Sequence, residues 1–375
     1  MSASGRPLSV VLAGGGTAGH TSPLIATAYE LQDLDPAVRV TAVGTARGLE
    51  VTVVPAAGLT LELIPPVPMP RRPGPDLAKV PLRLGQAVTA TVEVLRKVEA
   101  DVVLGFGGYV STPVYLAARR LGLPIVIHEQ NALPGLANKL AARMTRHVYT
   151  SFPGTRLPHA DYIGLPIRRA ITELDRPAER SAALEAFDLD PGLRTLLVSG
   201  GSQGALSINT AVIGARERLL ARGIQILHVL GPKNMTDQTS RSVDDATGAA
   251  YQPLAFVERM EQAYAAADLM LGRCGASTVL ETAATGLPAV FVPYPHGNGE
   301  QARNAELVVE SGGGLLLADA DCTSDWVAEH IPPLFDQQGR LAGMRTALRG
   351  VAKSDAARVL AAKTLAAIDS TKVGN

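Results

Sequence analysis

The chain predicts an α/β protein built of two Rossmann-like domains, each on a parallel sheet. Three observations carry that expectation. Short apolar runs alternate with helical stretches, the pattern of βαβ units. A strand, a glycine turn and a helix open the chain at Leu8–Gly19 and recur at Thr195–Ala205. The length, 375 residues, exceeds what one hydrophobic core usually serves.

Composition narrows the class. With 46% hydrophobic and 19% charged residues the chain can bury a large core, and aromatics at 4% leave the packing to Ala, Val, Leu and Gly. Lys+Arg (35) balance Asp+Glu (35), so no global field draws nucleic acid or an anionic surface, and any membrane attraction has to come from a local patch. Two cysteines, Cys274 and Cys322, form neither a disulfide framework nor a zinc spacing, as expected of a reducing cytoplasm. The start, MSASGRPLSVVLAGGG, does not read as a signal peptide, and nowhere do 18 apolar residues run together. Membrane contact is therefore expected to be peripheral.

In chain order, Leu8–Ala13 reads as a buried strand, followed by Gly14–His20 and a helix expected over Pro23–Leu34. Val38–Val43 and Leu61–Ile64 read as further strands. Gly14-x-Gly16-x-x-Gly19 matches the dinucleotide fingerprint literally, but the second strand ends Val43-Gly44-Thr45, without the acid that would bind a ribose. Residues Pro65–Gln86 mix prolines with Arg71, Arg72, Lys79 and Arg83 against one acid, Asp76. Composition suits a solvated proline-rich loop; the sharper reading is an apolar, basic surface for anionic lipid. Asp101–Gly105 reads as a strand ending in Phe106-Gly107-Gly108-Tyr109, with a helix over Thr112–Leu121. Pro124–Ile127 reads as another, ending in His128-Glu129-Gln130-Asn131. In open parallel sheets the ligand crevice lies beyond the carboxyl ends of the strands, so three such endings predict a cleft.

The second domain starts afresh with Thr195–Val198, the turn Ser199–Gly204 and a helix from Ala205. Strands are expected at Ile226–Leu230, Leu254–Val257, Asp268–Leu271, Ala289–Tyr294 and Gly314–Leu317, with closing helices from about Ala342 and over Asp355–Ala367. The expected division is 1–165 for the first domain and 166–352 for the second, with a C-terminal helix at about 353–370 packing back on the first.

The segment Leu269–Asn304 is the most informative. A glycine turn, Gly272–Gly275, runs into a helix over Ala276–Thr285 that Gly286 ends, which sets free N–H groups and a positive dipole end where a phosphate fits. Ser277 and Glu281 are four apart and share a face. Like charge bars Glu281 from the phosphate, but its carboxylate can accept from a ribose diol. The following loop, with His296, Asn298, Glu300, Gln301 and Asn304, offers amides to sugar hydroxyls. Phosphate, ribose and sugar binders in one segment suggest a nucleotide-sugar donor site.

Four segments in order, AGGGTAGHTSP, LGFGGYVSTP with HEQNALPGLANK, VSGGSQGALSIN and GASTVLETAATGLPAVFVPYPHGNGEQARNA, cover nearly the whole chain. In them the chain resembles the undecaprenyldiphospho-muramoylpentapeptide β-N-acetylglucosaminyltransferases, GT-B enzymes that make lipid II from lipid I in peptidoglycan synthesis. The resemblance implies a GT-B fold, two Rossmann-like domains facing a central cleft, with UDP-GlcNAc mainly in the C-terminal domain and the lipid acceptor in the N-terminal one. It places Thr17, Ala18, Gly19 and Asn131 toward the donor's sugar and phosphate. Arg168, Ser202, Val257, the helix start Ala276, Ser277, Thr278 to Glu281, and Gln301 with Asn304 would line the rest of the donor. It also implies a peripheral place on the cytoplasmic face of the cell membrane, with an anionic membrane surface and other cell-wall synthesis proteins as partners. Departures from the family's pattern are the third glycine of the first loop, Leu165 in the Gly164-Leu165-Pro166 turn, Cys274, and Glu300 before Gln301.

The implied reaction is one inverting displacement at the anomeric carbon, which needs a base at the acceptor hydroxyl and charge stabilisation for the leaving UDP. No metal or cofactor is expected: the Asp-x-Asp strings Asp33–Asp35, Asp188–Asp190 and Asp319–Asp321 lie outside the expected cleft. His20 is the candidate base, since a neutral imidazole suits proton transfer near pH 7; Glu129 is the alternative, with His128 placed toward the acceptor pyrophosphate. A nucleotide-sugar epimerase, an NAD-dependent oxidoreductase and a non-catalytic UDP-sugar-binding module are the rival readings of the residues alone.

Overall fold

The computed structural model describes residues 6–16, 18–68, 79–201, 204–236 and 239–372. They fall into two compact units, Met1–Arg168 with Ser354–Asn375, and Arg169–Lys353. The first holds seven strands: β1 (Ser9–Ala13), β2 (Arg39–Gly44), β3 (Thr60–Leu63), β4 (Val102–Gly105), β5 (Ile125–Glu129), β6 (His147–Thr150) and β7 (Ala160–Tyr162). Their order is β3-β2-β1-β4-β5-β6-β7, and all pair parallel. The second holds β8 (Arg194–Ser199), β9 (Ile224–Val229), β10 (Ser242–Val243), β11 (Ala250–Leu254), β12 (Leu269–Gly272), β13 (Ala289–Phe291) and β14 (Gly314–Leu316). Their order is β10-β11-β9-β8-β12-β13-β14, parallel except for the β10–β11 pair. Both sheets are thus doubly wound, with the strand order reversing at β1 and at β8. The glycine turns that follow those two strands open at the switch points where such sheets bind ligands.

Period-two alternation builds the first core. Val10 and Leu12 face one side with Val40, Ala42, Val102 and Leu104, under helices that contribute Leu24, Leu31 and, from the C-terminal helix Ala356–Lys372, Leu360 and Ile368. Val11, Ala13, Val103 and Ile127 face the other side with Val114, Tyr115 and Leu95. Both faces are covered, which is why β1 and β5 are buried along their whole lengths. In the second unit Leu196, Val198, Ile226, Leu269 and Leu271 pack against Val212 and Leu219 of the helix Leu206–Leu220 and against Val327 and Ile331.

Several boundaries differ from the sequence expectation, each for a local reason. The first helix is Ala18–Leu34, so Pro23 lies inside it rather than at its start. Helix Gly108–Arg120 likewise begins ahead of Thr112 and encloses Pro113. A proline near a helix start removes one hydrogen bond to the first turn and leaves the rest of the helix intact. Strand β5 runs past Ile127 because β6 pairs with His128 and Glu129. Strand β11 stops at Leu254, where its partner β9 ends at Val229, so Val257 stands in a loop. Within Pro65–Gln86, residues 80–86 belong to a helix, Val80–Lys97, with Pro81 at its harmless start and Ala87, Thr91, Val94 and Leu95 buried. Arg71 and Arg72 lie outside the described residues.

Candidate active site

At the carboxyl edge of the first sheet the endings of β1, β4 and β5 share one network. After β1, Phe106 N–H donates to Ala13 O at 2.8 Å and Ser111 Oγ donates to the same carbonyl at 2.9 Å, joining the β1 and β4 endings. Gly107 and Gly108 have φ of 85° and 77°, a conformation that favours glycine. A Cβ on Gly108 would lie 3.6 Å from His20 Nε2 and 3.2 Å from Gly15 O. Three segments thus meet here: the first glycine loop, His20 and the Gly107-Gly108 turn. His20 is partly exposed. Desolvation lowers its pKa to about 4, against the opposing charge of Glu50, so the ring is neutral near pH 7.

The β5 ending is more enclosed than its sequence suggests. Glu129 is 3% exposed, and its carboxylate accepts from the N–H of Asn131 (3.0 Å), the N–H of Gly135 (3.0 Å) and Asn138 Nδ2 (2.9 Å). Tyr115 OH donates to Asn138 Oδ1 at 2.8 Å, behind that amide. Glu129 therefore folds the 130–135 loop upon itself, and Asn131 is half-buried within it. His128 is fully buried with Nε2 2.9 Å from Gly164 O, and burial lowers its pKa to about 4. This corrects the placement of His128 toward an acceptor pyrophosphate: its ring is fully buried on a central strand and its Nε2 is engaged by Gly164 O. Gln130 Nε2 donates to Phe106 O and completes the tie between the β4 and β5 endings. Ala18 and Gly19 form the first turn of helix Ala18–Leu34, while Thr17 lies outside the described residues. Arg168, half-buried, is grouped with this unit at its end.

In the second unit the β12 ending, Gly272-Arg273-Cys274-Gly275, runs into helix Ala276–Ala284. Gly275 is extended and no side chain caps the helix, so its first-turn N–H groups lack the usual side-chain acceptor. Ser277 Oγ is buried without a hydrogen-bond partner among the described residues, and Thr278 beside it is half-buried. Glu281 is 8% exposed and accepts from Tyr264 OH at 2.8 Å. Gly286, with φ of 63°, ends the helix as the glycine there predicts.

Arg273 anchors the loop that follows β13. Its guanidinium donates to Pro293 O (3.0 Å), Val292 O (3.2 Å), Ser207 Oγ (3.0 Å) and Asp319 Oδ1 (2.5 Å), and it lies over the Tyr294 ring. Asp319 is thereby part of the donor segment's support. Gln301 Oε1 accepts from Tyr294 N–H at 2.9 Å. Burial raises the Glu300 carboxyl above its usual range. Asn304 is fully buried with Nδ2 3.5 Å from Cys274 O, one helical turn deeper than Gln301. Its amide reaches the glycine turn, behind the Gln301 that the sugar assignment also names. Val257, 7% exposed, stands in the loop beyond β11. Ser202 and Gln203 lie outside the described residues.

Sequence reasoning missed Glu50, Tyr264, Arg273 and Asn138. Of these only Glu50 carried a local signal, an acid within the glycine-rich GTARGLE.

A family model described as the glycosyltransferase family 28 N-terminal domain matches residues 10–150, and one described as the glycosyltransferase family 28 C-terminal domain matches residues 195–360. The chain is 54% identical over 354 residues to a Nocardioides sp. protein named UDP-N-acetylglucosamine--N-acetylmuramyl-(pentapeptide) pyrophosphoryl-undecaprenol N-acetylglucosamine transferase, with 94% of this chain and 96% of the relative covered. It is 54% identical over 369 residues to the protein of the same name from Cutibacterium acnes, covering 97% and 98%. Among solved structures it is similar to MurG of Acinetobacter baumannii, at 27% identity and a TM-score of 0.74, covering 96% of this chain and 100% of that one.

Proposed function

The chain belongs to glycosyltransferase family 28, and we propose that its two sites, one in each unit, carry the acceptor and donor sides of one reaction. It is a glycosyltransferase of the GT-B class. The reaction is transfer of N-acetylglucosamine from UDP-N-acetylglucosamine to the muramoyl-pentapeptide of undecaprenyl-pyrophosphate-linked lipid I, with inversion, to form lipid II.

The observation that carries the donor assignment is the uncapped start of helix Ala276–Ala284, with Ser277 Oγ unpartnered and Glu281 one turn further in. In this reading Ala276, Ser277 and Thr278 meet the UDP pyrophosphate, whose charge the helix end offsets as the bond to the sugar breaks. Glu281, oriented by Tyr264, accepts from the ribose hydroxyls. Val257 lies along the uracil, Gln301 meets the sugar, and Ser202 and Arg168 complete the donor contacts.

On the acceptor side His20 takes the proton from the sugar hydroxyl as that oxygen attacks the anomeric carbon. A neutral imidazole is what this step requires, and desolvation of the ring keeps His20 neutral. Thr17, Ala18, Gly19 and Asn131 face the donor's sugar and phosphate in the same reading. Glu129 serves as the holder of the 130–135 loop, since its carboxylate is already engaged by two N–H groups and an amide.

We further propose a peripheral place on the cytoplasmic face of the membrane. Among the described residues no helix is long and apolar enough to cross a membrane. Support comes from the start of helix Val80–Lys97, where Leu82 is 69% exposed beside exposed Lys79 and Pro81. The test of the whole reading is incubation with radiolabelled UDP-N-acetylglucosamine and a lipid I analogue. A labelled disaccharide lipid is expected; free N-acetylglucosamine or an epimerised nucleotide sugar without lipid product would reject it.

A further inference from the structure

The acid that the glycine fingerprint lacks at the end of β2 is present a few residues on, and it faces the loop itself. Glu50, the first residue of helix Glu50–Ala56, is fully buried. Its Oε2 accepts from Gly16 N–H at 2.8 Å, and its Oε1 accepts from Thr45 N–H at 2.9 Å and Thr45 Oγ1 at 3.2 Å. The chain around it is cut to fit. A Cβ on Gly15 would stand 2.6 Å from Oε1, and Cβ atoms on Gly44 or Gly48 would overlap the side chain more severely still. Three glycines therefore make room for one carboxylate, which bridges the β1 loop to the β2 loop across 34 positions of sequence.

The bridge has two consequences. Gly16, at φ 90°, already gives its N–H to Glu50, so that N–H is not a donor for a substrate phosphate. And Gly15, whose carbonyl lies against the Gly108 turn next to His20, packs closely against the same carboxylate. The same carboxylate thus constrains Gly15 and Gly16, just ahead of the helix that carries His20.

We propose that Glu50 is a positioning residue for the transfer: its buried carboxylate fixes the first glycine loop and so places His20. This rests on the reading of His20 as the base. Glu50→Gln keeps the size but sets an amide where two backbone N–H groups need acceptors, so one of those bonds is lost. Misplacement by about 1 Å can cost about 100-fold in rate. Glu50→Gln should therefore lower kcat by about 10- to 100-fold with the donor KM within about twofold, beyond what a thermal midpoint lowered by about a few degrees would account for at assay temperature. Gly48→Ala, which leaves the charge but crowds the carboxylate, should lower kcat in the same way and serves if Glu50→Gln folds poorly. In a His20→Ala background Glu50→Gln should add little, because both changes remove one device. Normal kcat in Glu50→Gln and Gly48→Ala, or a full additive loss in the His20→Ala background, would overturn the proposal. Near-normal turnover of His20→Ala alone would instead reject the base assignment.

Discussion

The two units share one winding and treat the glycine turns ahead of their helices differently. In the first, Glu50, from the helix that follows β2, takes the Gly16 N–H and so ties the glycine loop to the β2 ending. In the second, Gly275 leads into its helix uncapped, and Ser277 Oγ stays without a partner. Both turns follow strands at or beside a switch point, so the sheet geometry is shared. What differs is whether the chain supplies its own anion. A glycine turn satisfied by an internal carboxylate is a rigid platform for the group that follows it, here His20; one left unsatisfied is a place for a ligand's phosphate.

That contrast is broken most sharply by removing His20. His20→Ala should lower kcat by about 10²–10⁴-fold while donor KM changes little, as expected for loss of a positioned base. Steady-state kinetics at saturating acceptor measures it. Glu281→Ala should do the reverse, weakening donor binding by roughly 1–3 kcal/mol through unpaired ribose hydroxyls. Calorimetry with UDP reads this directly, and unchanged affinity would remove Glu281 from the donor site. A smaller effect of the same kind is expected from Tyr264→Phe, which deletes one hydrogen bond to Glu281 without touching the ligand. Its donor KM should rise with kcat retained.

Much of this was legible in the residues, and the failures have a common cause. The glycine turns, the switch-point strands and the Ser277–Glu281 face follow from local pattern, because turns and helix periodicity are short-range. Glu50 escapes a local reading because the partner that ties it to the glycine loop is a backbone N–H 34 positions away, and the fingerprint looks for an acid at the strand end. His128 seemed available because strand length was read two residues short; pairing with Tyr149 draws it into the sheet. Asn304 follows Gln301 by three, a spacing that leads one turn further into the core. Exposure is a tertiary property, and polar residues near a site are divided by it into those that meet the ligand and those that hold the ones that do.

Two further predictions sharpen the comparison with smaller effects. His20 and His128, with pKa values lowered to about 4, and His228, lowered to about 3, are neutral in the fold and protonate in the unfolded chain near 6.5. As pH falls from about 6.5 the unfolded state takes up more protons, so stability should decline, the His20 and His128 contributions being lost by about pH 4 and that of His228 by about pH 3. His228→Asn should flatten the decline; a thermal midpoint constant over the window would reject it. Finally, changing Arg71, Arg72, Lys79 and Arg83 together to Ser should reduce sedimentation with anionic liposomes, each cation being worth about 1 kcal/mol near the surface. Activity on a short-chain soluble acceptor should be retained, and salt-insensitive, undiminished liposome binding would refute a lipid role for this stretch.

The division of labour between the two units is tested most directly by titrating UDP-N-acetylglucosamine against Glu281→Ala and His20→Ala and following the disaccharide lipid. Glu281→Ala should recover toward the unmodified rate as donor rises, since it lacks only binding, whereas His20→Ala should stay slow at every donor concentration. Recovery of His20→Ala by donor, with Glu281→Ala remaining slow at saturation, would contradict the assignment of base to the first unit and donor to the second.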